Sequence, residues 1–265
     1  MAAQSLLPPD SPLWPSRLSR TSLWIMGIGL ALAVLAGPLY RFGFAGVRVA
    51  LLALAAGAVV LGIGALLGGV ALVAAGVRGA PVDRGPVVLG IAIALAVISY
   101  LLSWVEQARS TPPIYDVSTD LENPPEFVAV REIRKALEDA TPPEYVRRQP
   151  GPDGTVLDVP ALQRQSYPDV RPLQLPISPD GALVRAKQAA DRLGWDIVAF
   201  EPSEGRLEAT DTTAFFGFKD DVVVRVTASD GGSRVDVRSK SRVGRGDMGA
   251  NAKRIREFLE LMQND

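Results

Sequence analysis

From Leu23 to Trp104 the chain is nearly free of charge, and its apolar positions fall into three blocks. These are Leu23–Tyr40, Val49–Val77 and Val87–Trp104. A helix of about 20 apolar residues crosses the hydrocarbon core of a bilayer, so the first and third blocks predict single spans. The second is longer. At about 1.5 Å per residue it exceeds a core of about 30 Å, so it is expected to tilt or to extend beyond the bilayer. Two crossings would need about 40 residues. The first block is not read as a secretory signal, because two more spans follow it and no small-residue cleavage pattern ends it. No Asp, Glu, Lys or Arg lies within a span, which argues against a pump or transporter. Gly64 and Gly68 stand at GxxxG spacing. That spacing serves a dimer seam or close packing among the helices of one chain, and the second reading is preferred.

After Gln107 the pattern becomes polar, charged and proline-rich. Proline disfavours helix at and before itself, so residues 106–125 predict an extended tether. Asn123-Pro124-Pro125-Glu126 resembles a helix start, and Phe127, Val130, Ile133 and Leu137 share one face of a helix running to about Asp139. The passage Thr141–Pro179 is expected to wrap extended along the domain. Ser178-Pro179-Asp180 opens a helix with Leu183, Val184, Ala186, Ala190 and Leu193 on its buried face, and Gly194 ends it over Trp195. Strands follow at Asp196–Glu201, Arg206–Thr213, Asp220–Ala228 and Ser233–Val243, with a hairpin signal at Asp230-Gly231-Gly232. In the last strand Val235, Val237, Ser239, Ser241 and Val243 point one way, and Asp236, Arg238, Lys240 and Arg242 the other. An amphipathic helix with Ile255, Phe258, Leu259 and Met262 closes the chain.

The predicted fold is therefore an α-helical membrane segment of three transmembrane helices and a C-terminal two-layer α+β domain, whose antiparallel sheet has about four strands. The expected divisions are a cytoplasmic tail at 1–20, the spans at 21–105, the tether at 106–125 and the soluble domain at 126–265. Arg17, Arg20, Arg78 and Arg84 share one side of the membrane, and Arg41, Arg48 and Arg109 the other. The bias puts the N-terminus in the cytoplasm and the C-terminal domain outside it. Tyr40, Tyr100 and Trp104 then serve as interfacial aromatics near the outer face. The expected location is a bacterial inner membrane, with the lipid bilayer and a membrane or envelope protein as partners.

Charge and composition narrow the chemistry. A net charge of −1 offers no basic surplus to recruit nucleic acid. Cysteine and histidine are absent, which removes disulfides, thiol nucleophiles, imidazole bases and His/Cys metal sites. No cofactor or metal is expected, since any metal would have to be a hard cation held by oxygens. The adjacent pair Asp220-Asp221 lacks a metal-loop spacing, and alternation sends its carboxylates to opposite faces.

The stretch "RSKSRVGRGDMGANAKRIREF", Arg238–Phe258, is a strand-to-helix junction with Asp247 as helix cap. A helix start can hold an anion, and Arg238, Arg242, Arg245 and Asn251 are the candidates for such a site. The other reading, preferred here, is a salt-bridge lattice drawing on Asp211, Asp220, Asp221, Asp236 and Asp247. The phenylalanines of "AFFGFKDD", Ala214–Asp221, form either an apolar lip or membrane-touching loop, or core between strands. Ser239, Lys240 and Ser241 adjoin, but alternation turns the lysine away from both serines, so no catalytic residue is assigned.

"YPD" at Tyr167–Asp169, Gly194-Trp195, "LEATDTT" at Leu207–Thr213, "GFKDDVVVRV" at Gly217–Val226 and "VDVRSKSRVGRGDMGANAKRIREF" at Val235–Phe258 resemble the family called domain of unknown function 1499. "PPIYDVSTDLENPP", Pro112–Pro125, is similar to its lead-in segment. The resemblance covers about Ile114–Leu261 and implies no activity or site residues. Three function classes remain. The preferred one is a membrane-anchored, non-catalytic binding or scaffolding module at the cell envelope. The others are a membrane-bound hydrolase or anion-binding enzyme using Arg and Asp residues of the C-terminal domain, and a transport accessory subunit.

Overall fold

The computed structural model describes residues 13–137, 140–151 and 153–264. The chain divides into two compact units: Met1–Glu106 with Phe215–Gly217, and Gln107–Ala214 with Phe218–Asp265.

The first unit holds α1 (Trp14–Arg41), α2 (Val47–Arg78) and, as far as Glu106, α3 (Arg84–Ser110), three helices long and apolar enough to cross a membrane. Many of their large apolar side chains face outward, as with Trp24, Leu52 and Leu66, while Met26, Leu61 and Val87 are buried. Small residues are also buried, among them Gly29, Ala33 and Ala36 of α1 and Gly57, Gly64 and Ala71 of α2. Where lipid replaces water there is no hydrophobic drive between helices, so close backbone approach supplies the attraction. A Cβ on Gly29 would stand 2.6 Å from the Leu61 nitrogen, and one on Gly64 2.9 Å from the Met26 nitrogen. The GxxxG glycines thus serve contacts within this chain. Both α1 and α3 run past the apolar blocks, so residues 14–20 of the expected tail and 106–110 of the expected tether are helical. Residues 1–12 of that tail lie outside the described residues.

The second unit is an α+β domain with an antiparallel sheet. Its elements are β1 (Asp116–Ser118), α4 (Ala129–Lys135), β2 (Arg148–Pro150), β3 (Val156–Asp158), α5 (Val159–Ser166), β4 (Leu173–Leu175), α6 (Pro179–Arg192), β5 (Asp196–Glu201), β6 (Arg206–Thr212), β7 (Lys219–Ser229), β8 (Gly232–Ser241) and α7 (Ala250–Asn264). The sheet runs β1-β8-β7-β6-β5, with β4 beside β1 on the outer edge of β8. Four of the six strands are those read from alternation. The two short edge strands lie in stretches expected to be tether and loop.

The reasons for the differences are long-range. Asp116–Ser118, expected as tether, pairs with Arg238–Lys240. The buried Gln163 of α5 holds the strand's other side: its amide oxygen accepts from Ser118 N at 3.1 Å, and its amide nitrogen donates to Ser118 O at 2.6 Å. Residues 141–179, expected as one extended passage, contain the β2–β3 hairpin, α5 and β4. The helix expected from Asn123 to Asp139 is α4 alone, starting six residues later. It buries Val130 and Arg134 and leaves Ile133 and Leu137 exposed. Asp139 lies outside the described residues.

Local signals hold elsewhere. The Ser178 hydroxyl caps α6 by accepting from Gly181 N at 3.2 Å. Gly194, at φ 74°, ends the helix in the left-handed conformation that glycine adopts without strain. The β7–β8 hairpin closes through Asp230-Gly231 between the paired Ser229 and Gly232. One face of the sheet, with Leu207, Ala209, Val222, Val224, Val235 and Val237, packs on α6 and α7 as the main apolar core. Trp195 stacks on Phe258 there, with ring centroids 5.3 Å apart. The opposite face carries one small apolar patch, Val223 under Phe127 and Val130, set among charged side chains.

Candidate functional site

The charged face is built by alternation along β8. Arg238, Lys240 and Arg242 leave the strand on the side away from α7, where α4 brings Arg134 and β1 and β7 bring Asp116 and Asp221. All six side chains are almost wholly inaccessible. Asp116 takes the Arg238 guanidinium through two bonds of 2.8 Å and the Lys240 ammonium at 3.0 Å. Asp221 takes Arg134 Nε at 2.7 Å and Arg242 Nη2 at 2.7 Å, and it accepts from the Thr210 hydroxyl at 2.8 Å.

Among the described residues, this cluster sets four cations against two carboxylates. Buried charge is costly unless paired and hydrogen-bonded. Backbone carbonyls absorb part of the surplus: Lys240 O accepts from Arg134 Nη2 at 2.7 Å, and Glu144 O from Lys240 Nζ at 2.6 Å. Aromatic faces absorb more. The Phe127 ring lies 4.8 Å from the Arg238 guanidinium and 5.5 Å from that of Arg134, and Tyr115 lies 5.5 Å from the Lys240 ammonium. Burial pushes the Asp116 carboxyl up, but Arg238 and Lys240 beside it draw it further down, so its net shift is below the usual carboxylate range. Burial pushes the Lys240 ammonium down to about 8, against the pull of Asp116.

This shift gives an alkaline dependence. Lys240 faces Asp116 and Tyr115 from the β1 segment, Asp221 from β7, Arg134 from α4 and its strand neighbour Arg238. The unfolded chain holds the lysine proton more tightly than the fold does, so stability is expected to rise from about pH 8 towards 10, by at most about 1.4 kcal/mol per pH unit. Above about pH 10 the trend reverses, because burial raises the phenols of Tyr145 and Tyr167 and the unfolded chain releases those protons first. Urea unfolding of the full chain in detergent at about pH 7.5 and 9.5 reads the difference. Lys240→Met should abolish it, and a slope unchanged in that variant would assign it to another group.

The other face of the junction is a separate network. Arg254 of α7 pairs with Asp211 at 2.8 Å and Asp220 at 2.6 Å. Asn251 accepts from the Ser239 hydroxyl at 2.6 Å and donates to Ser241 Oγ at 2.9 Å. Asp247 caps α7, accepting from Gly249 N and Asn251 N at 2.9 Å each. The expected anion site of Arg238, Arg242, Arg245 and Asn251 is therefore not assembled. Strand alternation places Arg238 and Arg242 on the opposite face from Asn251, and Arg245 is exposed in the turn between. Asp236 pairs instead with Arg225 and Arg234, each at 3.0 Å. Ser239 and Ser241 bond to Asn251 while Lys240 bonds to Asp116 across the sheet, so no serine–lysine pair forms.

Arg134, Asp116, Arg254 and Glu208 were not singled out by the sequence reading. Arg134 carried a signal, since it stands four positions after Val130 on the face that α4 buries. Concavities lined by described residues open on the domain. A cleft of about 670 Å³ has Tyr167 and Val170 in its wall and Arg164, Arg171 and Arg234 with Asp120 and Glu122 around it. A smaller cavity of about 260 Å³ is lined by Phe127, Arg131, Tyr145, Arg147 and Arg238.

Residues 116–262, more than half of the chain, match a family model described as Protein of unknown function (DUF1499). No curated protein and no solved structure matches the chain.

Proposed function

The chain belongs to the DUF1499 family, and from that premise we propose that it is a membrane-anchored, non-catalytic binding or scaffolding module of a bacterial cell envelope. In this reading three helices hold it in the inner membrane, and its C-terminal domain works outside the cytoplasm on a membrane or envelope protein. The observation that carries the reading is the commitment of the polar groups. Asp116, Asp221, Arg238, Lys240, Arg242, Ser239 and Asn251 are buried and bonded to one another or to the backbone. A general acid, base or nucleophile must instead reach a substrate. The open cleft, with its apolar wall and arginine rim, is the surface that suits a partner.

The native chain has no cysteine, so one introduced at the exposed Asp230 reports its side of the membrane without background. It should react with a membrane-impermeant maleimide in intact cells. A photo-crosslinking residue in place of the exposed Arg171 should yield one discrete adduct with an envelope protein. Labelling at position 230 only after lysis would overturn the orientation, and the absence of an adduct would overturn the partner at the cleft.

A further inference from the structure

Arg238 is the side chain by which the buried cluster borders a cavity. It is 1% exposed, yet it forms part of the wall of the smaller cavity. Its guanidinium has five N–H groups in a rigid fork. Two go to Asp116 at 2.8 Å. Two more go to backbone carbonyls, Nη1 to Pro125 O at 3.2 Å and Nη2 to Pro143 O at 3.0 Å, and Pro143 is part of the cavity wall. Phe127 and Tyr145 flank it, with ring centroids 4.8 and 5.4 Å from the guanidinium carbon. The cavity therefore ends on a cation pre-positioned by a carboxylate, two carbonyls and two rings.

Two further arginines stand in the same wall. Arg147 donates to the carbonyls of Leu121 and Glu122 at 2.9 Å each, and it lies over Tyr145, so among the described residues its bonds bring it no carboxylate. Arg131 pairs with the exposed Glu126 at 3.3 Å, a contact that water screens and an incoming anion can displace. Glu144 is the other carboxylate of the wall, and its side chain is exposed. Behind Arg238 lies the rest of the buried cluster, three cations and two carboxylates. The local field is positive, and the donors are of the kind that grip oxyanions in pairs.

We propose that this cavity is a binding site for a small phosphate-type oxyanion, held by Arg238 with Arg147 and Arg131. At about 260 Å³ it admits a phosphate group with a small substituent. It falls below the range of about 300–1,000 Å³ usual for larger organic ligands. The site shares only Asn123 with the lining of the larger cleft. Its test reads an anion rather than a protein adduct, so this site and the partner reading can fail separately.

The test is the thermal unfolding of the full chain in detergent micelles, with sodium phosphate, glycerol phosphate or sodium acetate against sodium chloride at matched ionic strength. A ligand that binds the folded state raises the midpoint by mass action. Phosphate or its ester is expected to raise it above the chloride control. Arg147→Gln and Arg131→Gln, each read against its own ligand-free midpoint, should weaken the anion at least about tenfold, as loss of a charge-assisted contact does. A larger shift with glycerol phosphate assigns an esterified ligand, and a larger shift with inorganic phosphate assigns the free ion. No shift above chloride, a shift from acetate alone, or a shift unchanged in both variants would overturn the site.

Discussion

Asp221→Ala is expected to destabilise the C-terminal domain by about 3–5 kcal/mol, the cost of leaving buried charge without its partner. The Asp221 side chain is 0% exposed and meets both Arg134 and Arg242 at 2.7 Å. Without it those guanidiniums retain only carbonyl and hydroxyl acceptors, and the cluster keeps Asp116 as its one carboxylate. Asp221→Asn separates charge from shape, since it keeps an acceptor but removes the charge. It should cost less than alanine and more than about 1 kcal/mol. Urea titrations of the full chain, followed by circular dichroism, give both values. A loss below about 1 kcal/mol on Asp221→Ala would mean that carbonyls and aromatic rings hold the two arginines without the carboxylate.

Glu208→Ala should act nearly as strongly but through a different element. Helix α4 has seven residues, and its N-cap, Val128, offers no side-chain bond. A helix this short is not stable alone. The fully buried Glu208 stands in for the cap: its carboxylate accepts from Val128 N at 2.9 Å, Ala129 N at 3.0 Å and Val130 N at 2.9 Å. It also pairs with Arg206. Alanine would strand three N–H groups and leave Arg206 with Glu204 as its carboxylate partner, for an expected loss of about 3 kcal/mol. The loss should be local. Amide exchange at 128–130 is expected to accelerate about a hundredfold while the β7–β8 hairpin stays protected. Uniform acceleration across the sheet would instead make α4 part of one cooperative unit. Since Arg134 rides on α4, freeing the helix also loosens its bond to Asp221, so this substitution and Asp221→Ala should be less than additive.

Periodicity made three features of this chain readable. The membrane blocks, the β7–β8 hairpin and the capped α6 each depend on residues within a few positions of one another, where spacing and conformational preference act directly. The same local logic applies to α5. Asp158 accepts from Ala161 N at 3.0 Å and Pro160 follows in the first turn, the pattern that marks Ser178-Pro179. The proline count of that passage outweighed it. For α4 the local signal misled, because Asn123-Pro124-Pro125 resembles a helix start and the true cap lies 80 positions from Val128.

Charge pairing follows another rule. Strand alternation separated Arg238 and Arg242 from Ser239 and Ser241, and so it told which residues could not meet. It did not name the partners. Asp116 and Arg238 are 122 positions apart, and Arg134 and Asp221 are 87 apart. Many carboxylates in the chain have the chemistry to pair with a given arginine, and a contact between distant positions leaves no periodic trace. The choice is made when β1 and α4 settle on the sheet, because the least costly packing is the one that leaves no carboxylate or guanidinium stranded away from water. Spacing of apolar residues thus dictated the spans, the central strands and the two long helices of the domain. Packing alone assigned each buried charge its partner, and with it the cavity that Arg238 borders.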